Sequence, residues 1–418
     1  MRSLQMFIDK NETAVAAKTV PFVKYTSCGN NFVIVDATED SVLAEMEWSA
    51  FAPKATSTTF GIGCDNLLVV QRSNARTLDA IAKDRNYWDA KPDLSAADYV
   101  FRMFEPNGEE AACCGNGLIC IADFLRRKHG VTVSNIATEI PLSSPNIISI
   151  GSLGYDGSWV NLGMPRHTPT QLVNRDSLHP LDDTIDVIEE LTIQFRRDDL
   201  KPYTDASTLT IKGYLVFTGE PHLVIFPDHD FSVPELASFI FGATPEGHTP
   251  EDRRRGLGAW LVHRIGSFIN SRCRHIFPDG VSVNFARIHN LDSVSNRCFE
   301  RGINRETLAC STGALAVAYV VQQLFSMPIT NINLLPLRCR EEDPDAVINI
   351  QQTENGWVLT TKPYMLFEGQ YRMQPINVVA PTANEYLMAE SEARLYKQQL
   401  TLEAANSTTI RKRLMTKQ

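Results

Sequence analysis

The sequence predicts a mixed α/β fold built as two similar lobes, on three observations. First, two stretches echo each other, Ala112-Cys113-Cys114-Gly115-Asn116-Gly117 and Ala309-Cys310-Ser311-Thr312-Gly313-Ala314. Each sets a cysteine ahead of small residues and then enters an almost wholly apolar run, Leu118 to Leu125 in one and Leu315 to Val321 in the other. A helix apolar on every side is a buried helix, so each run predicts a helix in the core of its own lobe, with the cysteine at its N-terminus. Second, short apolar, β-branched segments flank both runs and read as strands. Third, the order strands, buried helix, strands occurs twice along the chain.

The elements follow in order. Residues 1–20 form a polar N-terminal extension. Phe22 to Tyr25 and Phe32 to Asp36 read as strands around a Cys28-Gly29-Asn30-Asn31 turn, whose residues supply positive φ and local side-chain bonds. Gly61-Ile62-Gly63-Cys64-Asp65-Asn66 repeats that rhythm ahead of the strand Leu67 to Val70. The span from Ser73 to Ala97 is polar and reads as loop. Tyr99 to Phe104 is a strand, and Pro106-Asn107-Gly108 turns the chain toward the first cysteine helix. Ile147 to Ile150 and Trp159 to Leu162 complete a first lobe, 21–165. Residues 166 to 206, rich in Asp, Thr and Pro, read as a linker or insertion at the start of the second lobe, 166–380. There, strands near Leu209, Tyr214 to Thr218 and His222 to Phe226 precede a helix from about Arg253 to Cys273. Its apolar face carries Leu257, Trp260, Leu261, Ile265 and Phe268. Val281 to Ile288 and Asn296 to Phe299 lead into the second cysteine helix, and the last strands can return to the first lobe. A charged tail, 381–418, reads as a surface helix or a disordered segment.

Bulk properties bound the function. The chain has 418 residues, 43% of them hydrophobic and 21% charged, as expected of a soluble globular protein of two or three domains. A formal charge of −9, with no dominant basic block, argues against a nucleic-acid partner. No apolar run reaches the roughly 18 residues of a membrane span, and the N-terminus lacks the apolar core of a signal peptide. Nine cysteines without regular spacing read as thiols in a reducing cytoplasm.

Helix N-termini gather unpaired backbone N–H groups and the positive end of the helix dipole. Both lower a thiol's pKa and hold anions. Two such ends facing each other would hold one carboxylate between two reactive sulfurs, which makes Cys114 and Cys310 the candidate catalytic residues. Cys28, Cys64, Cys113, Cys120, Cys273, Cys298 and Cys339 read as structural. Cys113, Cys114 and Cys120 lack a second close pair to complete a zinc site, and no Lys-Ser/Thr closes the glycine run into a phosphate loop.

At these residues the chain resembles diaminopimelate epimerase and its relatives, amino-acid racemases that use no pyridoxal phosphate. Five blocks match in order: Gly29 to Asp36, Gly61 to Asp65, Arg102 to Gly117, Gly219-Glu220-Pro221-His222, and Glu300-Arg301-Gly302 through Gly313-Ala314. The resemblance implies two lobes, each a mixed sheet curled around a central helix, with the active site in the cleft between them and pairing as a homodimer. It implies no cofactor and no metal, and a small-molecule amino-acid substrate. One cysteine thiolate would take the α-proton while the other thiol returns one from the opposite face. By the same match, Asn30, Asn66, His222, Glu300 and Arg301 would line the substrate. The amides of Gly115, Asn116, Ser311 and Thr312 would hold its carboxylate.

Departures from the family carry information. Diaminopimelate has a second amino-acid head, whose carboxylate the epimerase grips with three asparagines and an arginine. The matching positions here hold Glu105, Glu220 and Ser282, and three residues, Ile303-Asn304-Arg305, stand where the family has two. The machinery around the α-carbon is kept and the distal clamp is rewritten. This points to racemisation of an amino acid with a basic side chain: histidine, lysine, arginine, ornithine or diaminopropionate. The alternatives are a diaminopimelate epimerase with an altered distal pocket, a catalytically silent binding protein on the same scaffold, and a thiol-redox enzyme cycling a Cys114–Cys310 disulfide.

Overall fold

The computed structural model describes residues 18–40, 43–196, 204–242, 256–325 and 330–373. The expected tail, and all but the last residues of the expected N-terminal extension, lie outside these. The chain divides into a body, Thr19–Tyr371, and a small unit in which the Met373 N–H donates to the Lys18 carbonyl at 2.8 Å.

The body opens with β1 (Thr19–Ser27), β2 (Asn30–Ala37), α1 (Glu47–Thr56), β3 (Asn66–Arg72), α2 (Ala75–Arg85), β4 (Tyr99–Phe104) and β5 (Glu110–Ala111). There follow α3 (Gly115–His129), β6 (Val133–Thr138), β7 (Asn146–Ser152) and β8 (Ser158–Asn161). Then come β9 (His179–Pro180), β10 (Asp186–Gln194), β11 (Thr208–Phe217), β12 (Pro221–Ile225), α4 (Pro227–Asp230), α5 (Pro234–Ile240) and α6 (Leu257–Arg272). The chain continues with β13 (Ser282–Asn290), β14 (Ser293–Glu300), β15 (Arg305–Thr307), α7 (Ser311–Phe325), β16 (Asn331–Pro336) and α8 (Leu337–Arg340). It ends with β17 (Ile348–Thr353), β18 (Gly356–Thr361) and β19 (Pro363–Arg372).

Strand pairing shows the duplication directly. In the first half β1 runs antiparallel to β2, β2 parallel to β3, and β3 antiparallel to β4. There β4 is antiparallel to β5 and parallel to β6, and β6, β7 and β8 form a meander. In the second half β11 to β18 repeat this pattern step for step, with β15 in the place of β5 and α7 in the place of α3. The antiparallel pair β8–β18 joins the halves.

The register also equates side chains. Leu67 faces Phe104 across β3–β4, and Val283 faces Phe299 across β13–β14. Phe32 faces Asn66, and His222 faces Ser282. Counting from these pairs matches Asn30 with Glu220, Asn66 with Ser282, Arg102 with Arg297, Met103 with Cys298 and Glu105 with Glu300, while the helix starts match Cys114 with Cys310.

Both cysteine helices are buried from their first residue, over Gly115–Leu125 in α3 and Ser311–Val321 in α7. They share one continuous apolar core with Phe32, Leu68, Val224 and Leu334, rather than each having its own. The second core belongs to α6, where Leu261, Val262, Ile265 and Ile269 pack on Leu223, Ile225, Phe285 and Phe299. The buried stripe is therefore turned from the expected one, leaving Leu257, Trp260 and Phe268 only partly covered.

Two further expectations are corrected. The span from Ser73 to Ala97 contains α2, because the Asn74 side chain caps the Thr77 N–H at 2.9 Å and Leu78 and Ile81 bury one face. Residues 166 to 206 contain β9 and β10, and β10 buries Val187, Ile188, Leu191 and Ile193. The exposed Glu189, Glu190 and Thr192 between those residues disguised the strand.

Candidate active site

Each sulfur takes the part that a serine or threonine oxygen plays at a helix N-terminus. Cys114 is extended and accepts the Gly117 N–H at 3.4 Å, and Cys310 accepts the Gly313 N–H at 3.4 Å. Gly313 is required by a close approach, since a Cβ there would stand 2.2 Å from Asn284 Oδ1.

The two helix N-termini abut. A Cβ on Gly115 would lie 2.6 Å from that of Ser311. Asn116 donates to Asn30 Oδ1 at 2.6 Å and to the Ala309 carbonyl at 3.2 Å, and accepts from the Ser311 hydroxyl. In return, Glu220 of the second half accepts the Ala112 and Cys113 N–H groups at 3.0 and 3.2 Å. Each half thus holds the residue just ahead of the other half's cysteine.

Cys114 and Cys310 line one cavity of about 900 Å³ with Asn30, Asn66, Glu105, Glu220, His222, Ser282, Glu300, Arg301 and Thr312. Gly115, Asn116 and Ser311 do not line it. Their packing against each other puts them behind the sulfurs, where they fix the two helix ends.

The sulfurs differ in ionisation. The Cys310 thiol is held below the ordinary value by a hydrogen bond from Cys298, against the cost of burial, with help from the Thr312 hydroxyl at 3.4 Å and the Gly313 N–H. Burial, and then the Glu300 charge, push the Cys114 thiol well above it. Behind Cys310 a polar chain recedes into the protein. The Asn284 amide donates to His222 Nδ1 at 3.0 Å, which leaves the proton on Nε2, 2.9 Å from Thr312 Oγ1. The threonine hydroxyl then points its own proton at sulfur. Burial, and then the Arg301 charge, lower the His222 pKa to about 3, so the ring stays neutral.

The distal end is differently charged from what the sequence suggests. Glu220 is committed to an ion pair with Arg301 besides its two backbone donors. Ser282 accepts the Arg301 N–H at 3.3 Å. Among the described residues no cation is bonded to Glu105, and its carboxylate takes only the Asn66 amide at 2.8 Å. Burial, and then the nearby Glu220 charge, raise its pKa to about 7. The extra residue in the Glu300–Arg305 turn is absorbed by Asn304, whose φ is 55° and whose N–H closes the turn onto the Glu300 carbonyl at 2.9 Å.

Sequence reading missed two features. Cys298 sits beside Cys310, because residues 298 and 300 of β14 project from one face of the strand. That alternation was the available signal. The second is a buried brace repeated in both halves. Arg102 pairs with Glu110 through both guanidinium edge nitrogens and with Glu45 at 2.8 Å. Arg297 pairs with Glu306 at 2.6 and 2.8 Å and with the Ile240 carbonyl at 2.6 Å. Each bidentate pair locks the hairpin, β4–β5 or β14–β15, that delivers the chain to a cysteine.

Comparison with known proteins agrees with this architecture. The family model for diaminopimelate epimerase matches residues 22–142, which include Cys114. A diaminopimelate epimerase from Archaeoglobus fulgidus is 24% identical over 365 residues, 85% of this chain and 98% of its own length. Another from Teredinibacter turnerae is 28% identical over 295 residues, 71% of this chain and 80% of its own. Among solved structures, a hydroxyproline epimerase from Agrobacterium vitis with bound trans-4-hydroxy-L-proline superposes with a TM-score of 0.53 at 12% identity. It covers 86% of this chain and 94% of its own. A probable proline racemase from Agrobacterium radiobacter gives 0.52 with the same coverage and identity. Over residues 22–142 the chain matches the diaminopimelate epimerase family model, along most of its length it is similar to diaminopimelate epimerases, and it is an isomerase.

Proposed function

We propose that this isomerase inverts the α-carbon of an amino acid by exchanging protons between Cys310 and Cys114. The observation that carries the reading is that both sulfurs cap abutting helices on one cavity with opposite ionisation biases. In the resting state Cys310 is the thiolate and Cys114 the thiol. Cys310 removes the Cα proton, Cys114 delivers its own to the opposite face, and the sulfurs end with their states exchanged. The reverse reaction starts from that exchanged state. Charge developing on the substrate carboxylate is met by the backbone N–H of Thr312, the first-turn residue of α7 that lines the cavity. His222 does not transfer a proton; it orients Thr312, which holds Cys310.

The substrate carries a cationic side chain. This rests on Glu105 alone, since Glu220 already neutralises Arg301. A far ammonium or guanidinium would draw Glu105 into its ionised form. A far carboxylate about 4 Å away would cost roughly 4 kcal/mol at an effective dielectric near 20. Diaminopimelate is the second reading, favoured by the names of the relatives.

One experiment tests both parts. A panel of L-amino acids and diaminopimelate is incubated in heavy water with the wild type, Cys114→Ala and Cys310→Ala. The expected result is deuterium at Cα of the inverted product from a basic amino acid, and no inversion by either variant. Inversion at the wild-type rate by either variant would end the two-thiol mechanism, and turnover of diaminopimelate alone would end the cationic assignment.

A further inference from the structure

Cys298 and Glu300 share a face of β14, and Cys310 stands across from them ahead of α7. One ligand atom from each, two sulfurs and a carboxylate oxygen, all lie within 4.8 Å of one another. We infer that Cys298, Glu300 and Cys310 form a binding site for a thiophilic divalent cation such as Zn²⁺, which blocks the catalytic thiolate when occupied.

The geometry fits. Zinc holds thiolates at about 2.3 Å and carboxylates at about 2.1 Å, so tetrahedral ligand atoms lie roughly 3.5–3.8 Å apart. The three ligand atoms, all within 4.8 Å of one another, bracket a space of that size. Glu300 Oε1 takes the Thr307 hydroxyl, which leaves Oε2 for the ion. Glu300 and Cys310 line the cavity while Cys298 does not, so an ion enters from the cavity and finds the third ligand behind them. The fourth position stays open to the cavity, as in zinc sites with three protein ligands.

Zinc ligates thiolate and carboxylate, so its binding displaces the thiol and carboxyl protons of these ligands to solvent. The other half offers no such site, because Met103, a thioether, holds the place of Cys298. Binding needs no turnover to be detected and stands or falls independently of the proposed reaction, whereas the block of catalysis rests on Cys310 acting as proposed.

The test uses the full-length chain and the metal alone. Equilibrium dialysis against Zn²⁺ should give one tight ion per chain. Cd²⁺ should bring up a thiolate-to-metal charge-transfer band with the intensity of two thiolates. Cys298→Ser and Glu300→Gln should each weaken Zn²⁺ at least tenfold, and Cys298→Ser should halve the cadmium band. Cys120→Ser, a buried thiol elsewhere on α3, should change neither. In turnover assays Zn²⁺ should compete with substrate, and a chelator should restore the rate. Zn²⁺ affinity unchanged in Cys298→Ser, or no stoichiometric ion in the wild type, would overturn the site. If Cys298→Ser does not fold, Cys298→Ala and Glu300→Gln decide by the same readouts.

Discussion

Thr312→Val is the sharpest probe of the asymmetry between the two thiols. Valine matches threonine in shape, so no cavity opens, and the change removes only a hydroxyl that accepts from His222 and donates to Cys310. A hydrogen bond to a charged group contributes about 1.5–3 kcal/mol. A sulfur acceptor at 3.4 Å belongs at the lower end of that range. One pKa unit is about 1.4 kcal/mol, so the Cys310 thiol should titrate about one unit higher. At any pH below both midpoints its alkylation by iodoacetamide should slow about tenfold. The assay is the pH profile of alkylation at Cys310, followed by mass spectrometry in a Cys114→Ala background. A second consequence is separable. The His222 Nε2–H is left buried without an acceptor, which costs about 1–3 kcal/mol in unfolding free energy. Thr312→Ser keeps the hydroxyl and should restore both the profile and the stability. A Cys310 midpoint that stays put or falls in Thr312→Val would refute the argument that the threonine sustains the thiolate.

Two other predictions follow from the charges around the site. Arg102→Leu leaves Glu110 buried without its cation and Glu45 with Arg85 alone, and urea titration should show a loss of about 3–5 kcal/mol, larger than the loss for removal of the half-exposed Arg166. Glu105 should govern pH dependence. Its carboxyl rises from 4.5 to about 7 in the folded state, so between those values the native protein binds more protons than the unfolded chain. Its stabilising effect is therefore present at low pH and lost as pH rises through about 7, and Glu105→Gln should flatten that fall, by about 3 kcal/mol at most. The same titration should make kcat/KM for a cationic substrate climb through pH 7 in the wild type and not in Glu105→Gln.

Much of this site was legible before the fold. Cys114 and Cys310 announce themselves by the apolar runs behind them, since only a buried helix tolerates such a run. Tyr99–Phe104 and the flanking strands follow from β-branched and aromatic alternation. Legibility ended where a side chain's meaning depends on a partner far along the chain. Glu220 looked like a free charge, and only the turn that brings Arg301 beside it, 81 residues later, shows that it is not. Gly115, Asn116 and Ser311 looked like substrate contacts, yet the closeness of the two helix ends uses them to join the halves. The strand β10 escaped because its outward residues are Glu and Thr, and α2 because its apolar face is only two residues wide.

The duplicated backbone explains why two cysteines meet, but not why they differ. Identical surroundings would give two thiols of equal acidity. Repulsion between adjacent thiolates would then decide which one keeps its proton, without preference. The matched positions break that tie. Cys298 donates to Cys310, whereas Met103 has no proton to give Cys114. His222 continues a polar chain to Thr312 behind Cys310, whereas Phe32, at the matching place in β2, is apolar. Each substitution pushes in the same direction, toward one thiolate and one thiol. The proposed reaction, which takes a proton from one face and returns another to the opposite face, would have to start from that unequal state, so the side chains in which the two halves differ would prepare it while the shared fold supplies the geometry.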